Sequence, residues 1–92
     1  MLIMVNNYEI VYEFSSVYDR NGKDKMNKDH ANPVFIYSLI QGRSAILMYA
    51  DKPELCMKTS TVESVFIFEN KINIITKNTE YWLRPRLREV IE

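Results

Sequence analysis

The residues best suited to binding chemistry lie near the C-terminus, where three arginines at alternate positions follow two aromatic residues. Arginine binds carboxylate and phosphate groups through two parallel hydrogen bonds, and Arg, Trp and Tyr are the residues most enriched at interaction hot spots. The predicted binding set is Tyr81, Trp82, Arg84, Arg86 and Arg88, joined by Arg43 if the turn that carries it folds nearby. The alternative is that these arginines are ordinary solvated side chains and the aromatic rings belong to the core.

Motifs for catalysis or metal binding are weak by comparison. No recognisable nucleophile motif surrounds the single histidine, His30, or the single cysteine, Cys56. The segment DRNGKD places carboxylates around Gly22, but its spacing does not match that of a calcium loop. The chain has only two glycines, and neither lies in a phosphate-binding fingerprint. The sequence therefore predicts a protein that is not an enzyme and that uses no catalytic residue, metal ion or cofactor.

Length and charge narrow the class of protein further. At 92 residues the chain is long enough for one domain, residues 1–92, and its one cysteine fits a reducing cytoplasm. Twelve basic residues balance twelve acidic ones, which argues against binding nucleic acid through phosphate neutralisation. The opening MLIMV is too short for a signal peptide, and no apolar run approaches the length of a membrane span. We therefore predict a cytoplasmic protein that does not bind a membrane.

The first third of the chain predicts a hairpin followed by a long polar loop. Residues 1 to 5 are apolar, the pair Asn6-Asn7 suits a tight turn, and apolar residues alternate from Tyr8 to Phe14. Residues 15 to 32 show almost no apolar periodicity and contain the turn signal Asn21-Gly22. Long loops in compact domains are often functional, so this segment is a candidate binding loop; the alternative is a solvated hairpin tip or a disordered excursion.

The middle of the chain predicts two buried strands. Residues 34 to 40 (VFIYSLI) and 44 to 50 (SAILMYA) are nearly continuous apolar runs on either side of Gln41-Gly42. Runs of this kind are typical of central strands that are covered on both faces. Residues 51 to 54 then predict a loop that contains at most one helical turn.

The last third predicts a meander of three strands and a short helix. Residues 61 to 69, 71 to 77 and 79 to 84 are strand-like and are separated by the short polar breaks Asn70-Lys71 and Asn78-Thr79. After Pro85, the residues Leu87, Val90 and Ile91 follow helical spacing, and proline is favourable at the first position of a helix. A frayed tail is the alternative to this helix.

Together these elements predict a mainly β fold. We expect a small antiparallel barrel or rolled sheet of about six to seven strands with a short C-terminal helix. A sheet of this size exposes edges that can pair with another chain, and a domain this small buries a limited core. Both considerations predict that the protein forms a homodimer or another homo-oligomer.

The segment GRSAILMYA, the later Thr-Ser-Thr-Val, and the run NTEYWL together resemble small uncharacterised proteins of low-GC Gram-positive bacteria and their phages and mobile elements. The resemblance implies a setting in which small proteins often bind and block the machinery of a host. We therefore expect a phage or mobile-element inhibitor that docks on a host protein complex. The alternative is a protein that binds a small anionic, nucleotide-like ligand at a subunit interface.

Overall fold

The computed structural model describes residues 7 to 90 of the chain. Within these residues, six antiparallel strands form a closed ring in which each strand pairs with its neighbours in sequence and the first pairs with the last. The strands are β1 (Tyr8–Asp19), β2 (Val34–Ser38), β3 (Ser44–Tyr49), β4 (Lys52–Ile67), β5 (Ile72–Thr76) and β6 (Thr79–Glu89). The ring confirms a mainly β, antiparallel fold.

The core fills the interior of the ring. Alternation in each strand directs every second side chain inward, and Leu47, Ile74 and Leu83 are completely buried there. The prediction that residues 34 to 40 and 44 to 50 are covered on both faces is wrong. A closed ring buries only the inner face of each strand, and Tyr37, where the register of β2 and β3 shifts, is 65% exposed.

The meander predicted near the C-terminus is confirmed as β4, β5 and β6. The strand β4 begins earlier than expected, at Lys52, because Lys52 pairs with Tyr49 across a tight connection. The loop predicted at residues 51 to 54 corresponds in part to an irregularity in the register of β3 and β4. After Lys52, the next residue of β4 that pairs with β3 is Cys56. Residues 53 to 55 therefore interrupt the pairing without ending the strand.

The predicted C-terminal helix is wrong as far as the structure describes it. Residues up to Glu89 continue β6, in which Leu87 pairs with Ile10 of β1, and the last two predicted helical residues lie outside the described part. Pairing between β5 and β6 ends at Leu83, which leaves β6 with a free edge beyond that point. Proline is tolerated on such an edge, because its missing N–H removes no bond to a neighbouring strand there.

The polar segment predicted as a loop from residue 15 to 32 is shorter in the structure. β1 continues to Asp19, whose carboxylate Oδ1 accepts hydrogen bonds from the backbone N–H groups of Asn21 and Lys23 at 2.8 and 2.9 Å. A short 3-10 helix, Lys28–Ala31, then precedes β2. The predicted first hairpin cannot be followed because its first arm and Asn6 lie outside the described residues, whereas the alternating segment from Tyr8 to Phe14 lies in β1. In the part of the chain that is described, no helix is long and apolar enough to cross a membrane.

Candidate binding surface

The C-terminal candidate residues separate onto two faces of β6. Tyr81 and Leu83 point into the ring, and Tyr81 is only 8% exposed, beside Phe14 at a centroid distance of 6.1 Å. Burial accordingly raises the pKa of the Tyr81 phenol. Trp82 and Arg84 point to the outside, because successive side chains of a strand face opposite sides. Tyr81 is thus a core residue, and we leave it out of the surface defined below.

Two of the predicted arginines are held in ion pairs on the outer face of β1 and β6. Arg88 contacts Glu9 Oε1 through Nη2 at 2.6 Å and Asp51 Oδ1 through Nη1 at 2.7 Å, and these hydrogen bonds raise the pKa of its guanidinium. Arg86 lies 3.5 Å from a carboxylate oxygen of Glu13. Both guanidinium groups therefore have carboxylate partners within the chain, and an acidic ligand would compete with those partners.

Arg43 lies at the opposite end of the ring from Arg84. Its N–H donates to the carbonyl of Ile40 and its own carbonyl accepts from Val62, so Arg43 belongs to the β2–β3 turn. Val62 pairs with Thr76, which is the last residue of β5. Arg84 lies near the other end of β5, because it follows Leu83, which pairs with the first residue, Ile72. The turn does not bring Arg43 to the arginines of β6.

An exposed aromatic cluster surrounds Trp82 on the outer face. The rings of Trp82 and Phe68 stack with centroids 5.8 Å apart and an interplanar angle of 26°. The ammonium of Lys71 lies 5.0 Å from the Trp82 centroid and 5.5 Å from that of Phe68. Phe66 lies in the same outward row, because Asn73 of β5 pairs with both Phe66 and Trp82. We call Phe66, Phe68, Lys71, Trp82 and Arg84 the aromatic platform.

Local structure explains why these side chains meet. The β4–β5 turn closes with a hydrogen bond from the Phe68 N–H to the Lys71 carbonyl at 2.9 Å, which brings both residues beside β6. Beneath the rings, Asn73 is only 4% exposed, and its Nδ2 donates to the carbonyl of Tyr81 at 3.2 Å. A buried amide that is satisfied in this way fixes the strand that supports the rings.

A shallow cleft of about 250 Å³ borders the aromatic platform and is lined by Ser15, Asn70, Lys71 and Arg84. Ser15 lies where the register between β1 and β6 shifts, and its hydroxyl donates to the carbonyl of Trp82 at 3.2 Å. Irregularities of this kind re-aim side chains at the edges of functional sites. The cleft therefore combines two cations with an amide, a set suited to an oxyanion, while the Ser15 hydroxyl is already used as a donor to Trp82.

The residues considered for catalysis or metal binding have structural contacts. His30 packs edge-on against Phe14 with centroids 4.9 Å apart, and its Nδ1 accepts a hydrogen bond from the Asn27 N–H at 3.1 Å. Cys56 is exposed on β4, and Asp24 accepts from the backbone N–H of Met26. Among the described residues, no three His, Cys, Asp or Glu side chains gather into a group that could hold a metal ion.

Of the residues in the aromatic platform, Trp82 and Arg84 are in the predicted binding set, whereas Phe66, Phe68 and Lys71 are not. A signal was available, because the two phenylalanines alternate at the end of one strand and Lys71 lies in the turn that leads to the next. The fold and the surface together define the class: a closed antiparallel ring with an aromatic and cationic outer platform. Comparisons with family models, with curated proteins and with solved structures give no match for this chain.

Proposed function

We propose that the protein is a small non-enzymatic binding protein that docks on a protein partner through the aromatic platform. The observation that carries the proposal is the exposure of aromatic rings on the outer face: Phe66 is 49% exposed, and Phe68, which stacks on Trp82, is 47% exposed. In this proposal the ring of strands is a small cytoplasmic barrel that serves as a rigid support. The partner belongs to a host complex, and the protein is a phage or mobile-element inhibitor.

The composition of the platform supports a protein partner. Interface centres are enriched in aromatic residues and arginine and depleted in other charged residues, with a polar rim around them. Here the rings of Phe66, Phe68 and Trp82 form the centre, and Ser15 and Asn70 lie at the margin. Burial of about 25 cal/mol per Å² of apolar surface would supply the affinity, and the rigid strands limit the entropy lost on binding.

The cations of the platform specify the charge of the partner. Lys71 and Arg84 line one cleft, and Glu13, directly opposite Arg84 in the strand register, lies close to Arg86. An acidic side chain of the partner would gain a charge-assisted hydrogen bond from Arg84. The partner surface should therefore be apolar at its centre and acidic on the side that meets Arg84.

Site-specific crosslinking in cells that contain the partner tests the proposal. A photoreactive phenylalanine analogue at position 68 should crosslink the partner, and the same analogue at the exposed position 37 of β2 should not. In the chain that carries the analogue at position 68, Trp82→Ala should abolish capture, whereas Tyr37→Ala should leave it unchanged. Equal capture with and without Trp82→Ala would reject the aromatic platform as the docking surface.

The cleft beside Arg84 favours a second candidate function, the binding of a small anionic, nucleotide-like ligand. Lys71 and Arg84 would contact phosphate, and the neighbouring Trp82 ring would contact a base. A ligand that binds only the folded state raises its stability, so a panel of nucleotides should raise the melting temperature of the wild type but not of Arg84→Ala. The absence of any shift at millimolar nucleotide would exclude this candidate.

A further inference from the structure

The strands β1 and β6 extend beyond the rest of the sheet as a two-stranded ribbon. Residues 8 to 13 of β1 pair continuously with residues 84 to 89 of β6, although β5 pairs with β6 only as far as Leu83. On its other side, β1 pairs with β2 through Tyr12 and Val34. We call these twelve residues the β1–β6 ribbon. A two-stranded ribbon is only marginally stable in water unless something packs against it.

The two faces of the β1–β6 ribbon differ sharply in chemistry. One face carries Glu9 and Glu13 opposite the arginines of β6, with the completely buried Val11 between them, and the ion pairs described above lie there. The other face carries Ile10 directly opposite Leu87, and these side chains are 57% and 61% exposed. Tyr8, 45% exposed, extends the apolar row toward the tip of the ribbon.

The apolar face continues from the core of the molecule. Tyr12 occupies the next inward position after Ile10 and packs against the buried cluster, and its partner across the ribbon is Pro85. The exposed side chains of Ile10 and Leu87 therefore continue the inner face of the ring beyond the point where the ring ends. Glu89, at the tip opposite Tyr8, is the one charged residue at the described positions of this face.

We infer that the apolar face of the β1–β6 ribbon packs against the same face of a second copy of this chain. Twofold packing requires a surface that complements itself, and an apolar row whose charges, apart from Glu89 at the tip, lie on the reverse face meets that requirement. The interface centres of homodimers are depleted in charge, as this face is. The protein also has no net charge, so two copies do not repel each other as a whole.

The size of the ribbon sets the expected affinity. Six residues per strand give a ribbon about 20 Å long, and two such ribbons pack face to face about 10 Å apart. This contact is smaller than the roughly 800 Å² per partner of a standard interface. The dimer should therefore be weak and should dissociate on dilution. This inference does not depend on the proposed function, because the aromatic platform lies on the outer face of the sheet, whereas the apolar face of the β1–β6 ribbon continues the inner face.

Analytical ultracentrifugation of the full chain from about 5 μM to 1 mM tests the inference. Wild type should shift from monomer to dimer across that range. The double variant Ile10→Lys and Leu87→Lys should weaken association at least tenfold, whereas Tyr37→Lys, at an exposed aromatic position of β2, should not. Circular dichroism and melting temperature show that each variant is folded. A wild type that stays monomeric at 1 mM, or a double variant that dimerises like the wild type, would overturn the inference.

Isotope-filtered NMR on the wild type locates the interface without a substitution. In a mixture of ¹³C-labelled and unlabelled chains, intermolecular contacts should involve the methyl groups of Ile10 and Leu87. Contacts confined to Phe68 and Trp82 would assign dimerisation to the aromatic platform instead and overturn the inference. Contacts of Ile10 and Leu87 with residues 1 to 6 in a full-length wild type that is monomeric would also overturn the inference, because the face would then be covered within one molecule.

Discussion

His30 is a titratable side chain that packs against an aromatic core residue, so its protonation is coupled to packing. It contacts the Phe14 ring, and the centroid of Tyr81 lies 6.4 Å from its own. Its Nδ1 accepts the Asn27 N–H and so completes a capping box for the 3-10 helix. Desolvation lowers the pKa of His30 below its ordinary value of 6.5, and the negative charge of Asp29 opposes part of that effect.

The sign of the resulting pH dependence follows from linkage. Because the folded-state pKa is lower than the unfolded value, folding favours neutral His30, and its full contribution is present above pH 6.5. The free energy of unfolding should therefore fall as the pH decreases from about 7 to 5. His30→Phe keeps an aromatic ring but cannot titrate, so its stability should be flatter in this window. Urea titrations at several pH values measure the slope, and equal slopes in both proteins would contradict the prediction.

Arg88 permits a second prediction for a single residue. Its guanidinium bridges Glu9 and Asp51, and its side chain is 25% exposed, whereas the Arg86 side chain is 49% exposed with a longer contact. Exposed ion pairs contribute about 0 to 1 kcal/mol. Arg88→Ala should therefore lower the free energy of unfolding by about 1 kcal/mol, and the matched Arg86→Ala by less than about 0.5 kcal/mol. Chemical denaturation measures both, and the reverse order would show that the Arg88 bridge is unimportant.

At the scale of elements, alternation in the sequence predicted a strand well where the strands that pair with it are close to it in the chain. The order β4, β5, β6 follows from three patterned segments and short turns, and the register is set by which residues face the core. The C-terminal segment was misread because seven residues with Leu87, Val90 and Ile91 fit helical spacing. Its strand form depends on β1, which lies more than 70 residues earlier and whose pairing no local pattern reveals.

The absence of any local signal for long-range pairing also explains why the predicted binding set differs from the aromatic platform. Grouping Tyr81 with Trp82 used their proximity in sequence, but strand alternation sends one ring inward and the other outward. The inclusion of Arg43 in the predicted binding set depended on the path of the β2–β3 turn, which the sequence does not specify. Phe68 and Lys71 reach Trp82 only through the pairing of three strands, so their partnership becomes visible once the register is known.

The turn between β2 and β3 gives a prediction for an element. Gly42 has φ of +89°, a conformation that residues with a Cβ adopt rarely, and its N–H donates to the Val62 carbonyl at 2.9 Å. No atom would crowd an added Cβ, so the cost of Gly42→Ala is backbone strain alone. We expect a loss of about 1 kcal/mol, because alanine is disfavoured at positive φ. Arg43→Ala, one residue later and not at positive φ, is the control for a substitution in the same turn, and denaturation in urea compares the two variants.

At the scale of the whole molecule, the closed ring makes the core a single cooperative unit. Ile74 of β5 is completely buried, and Ile67 of β4 is 78% exposed, so the same side chain occurs in both environments on adjacent strands. Ile74→Ala should lower the free energy of unfolding by about 2 to 5 kcal/mol, which is a large share of the stability of a small domain. Ile67→Ala should change it by less than about 0.5 kcal/mol.

Because the ring shares one core, fluorescence of Trp82 and far-ultraviolet circular dichroism should report the same unfolding midpoint for the Ile74→Ala variant. Separate midpoints would mean that the β4–β5–β6 meander unfolds independently of the strands that close the ring.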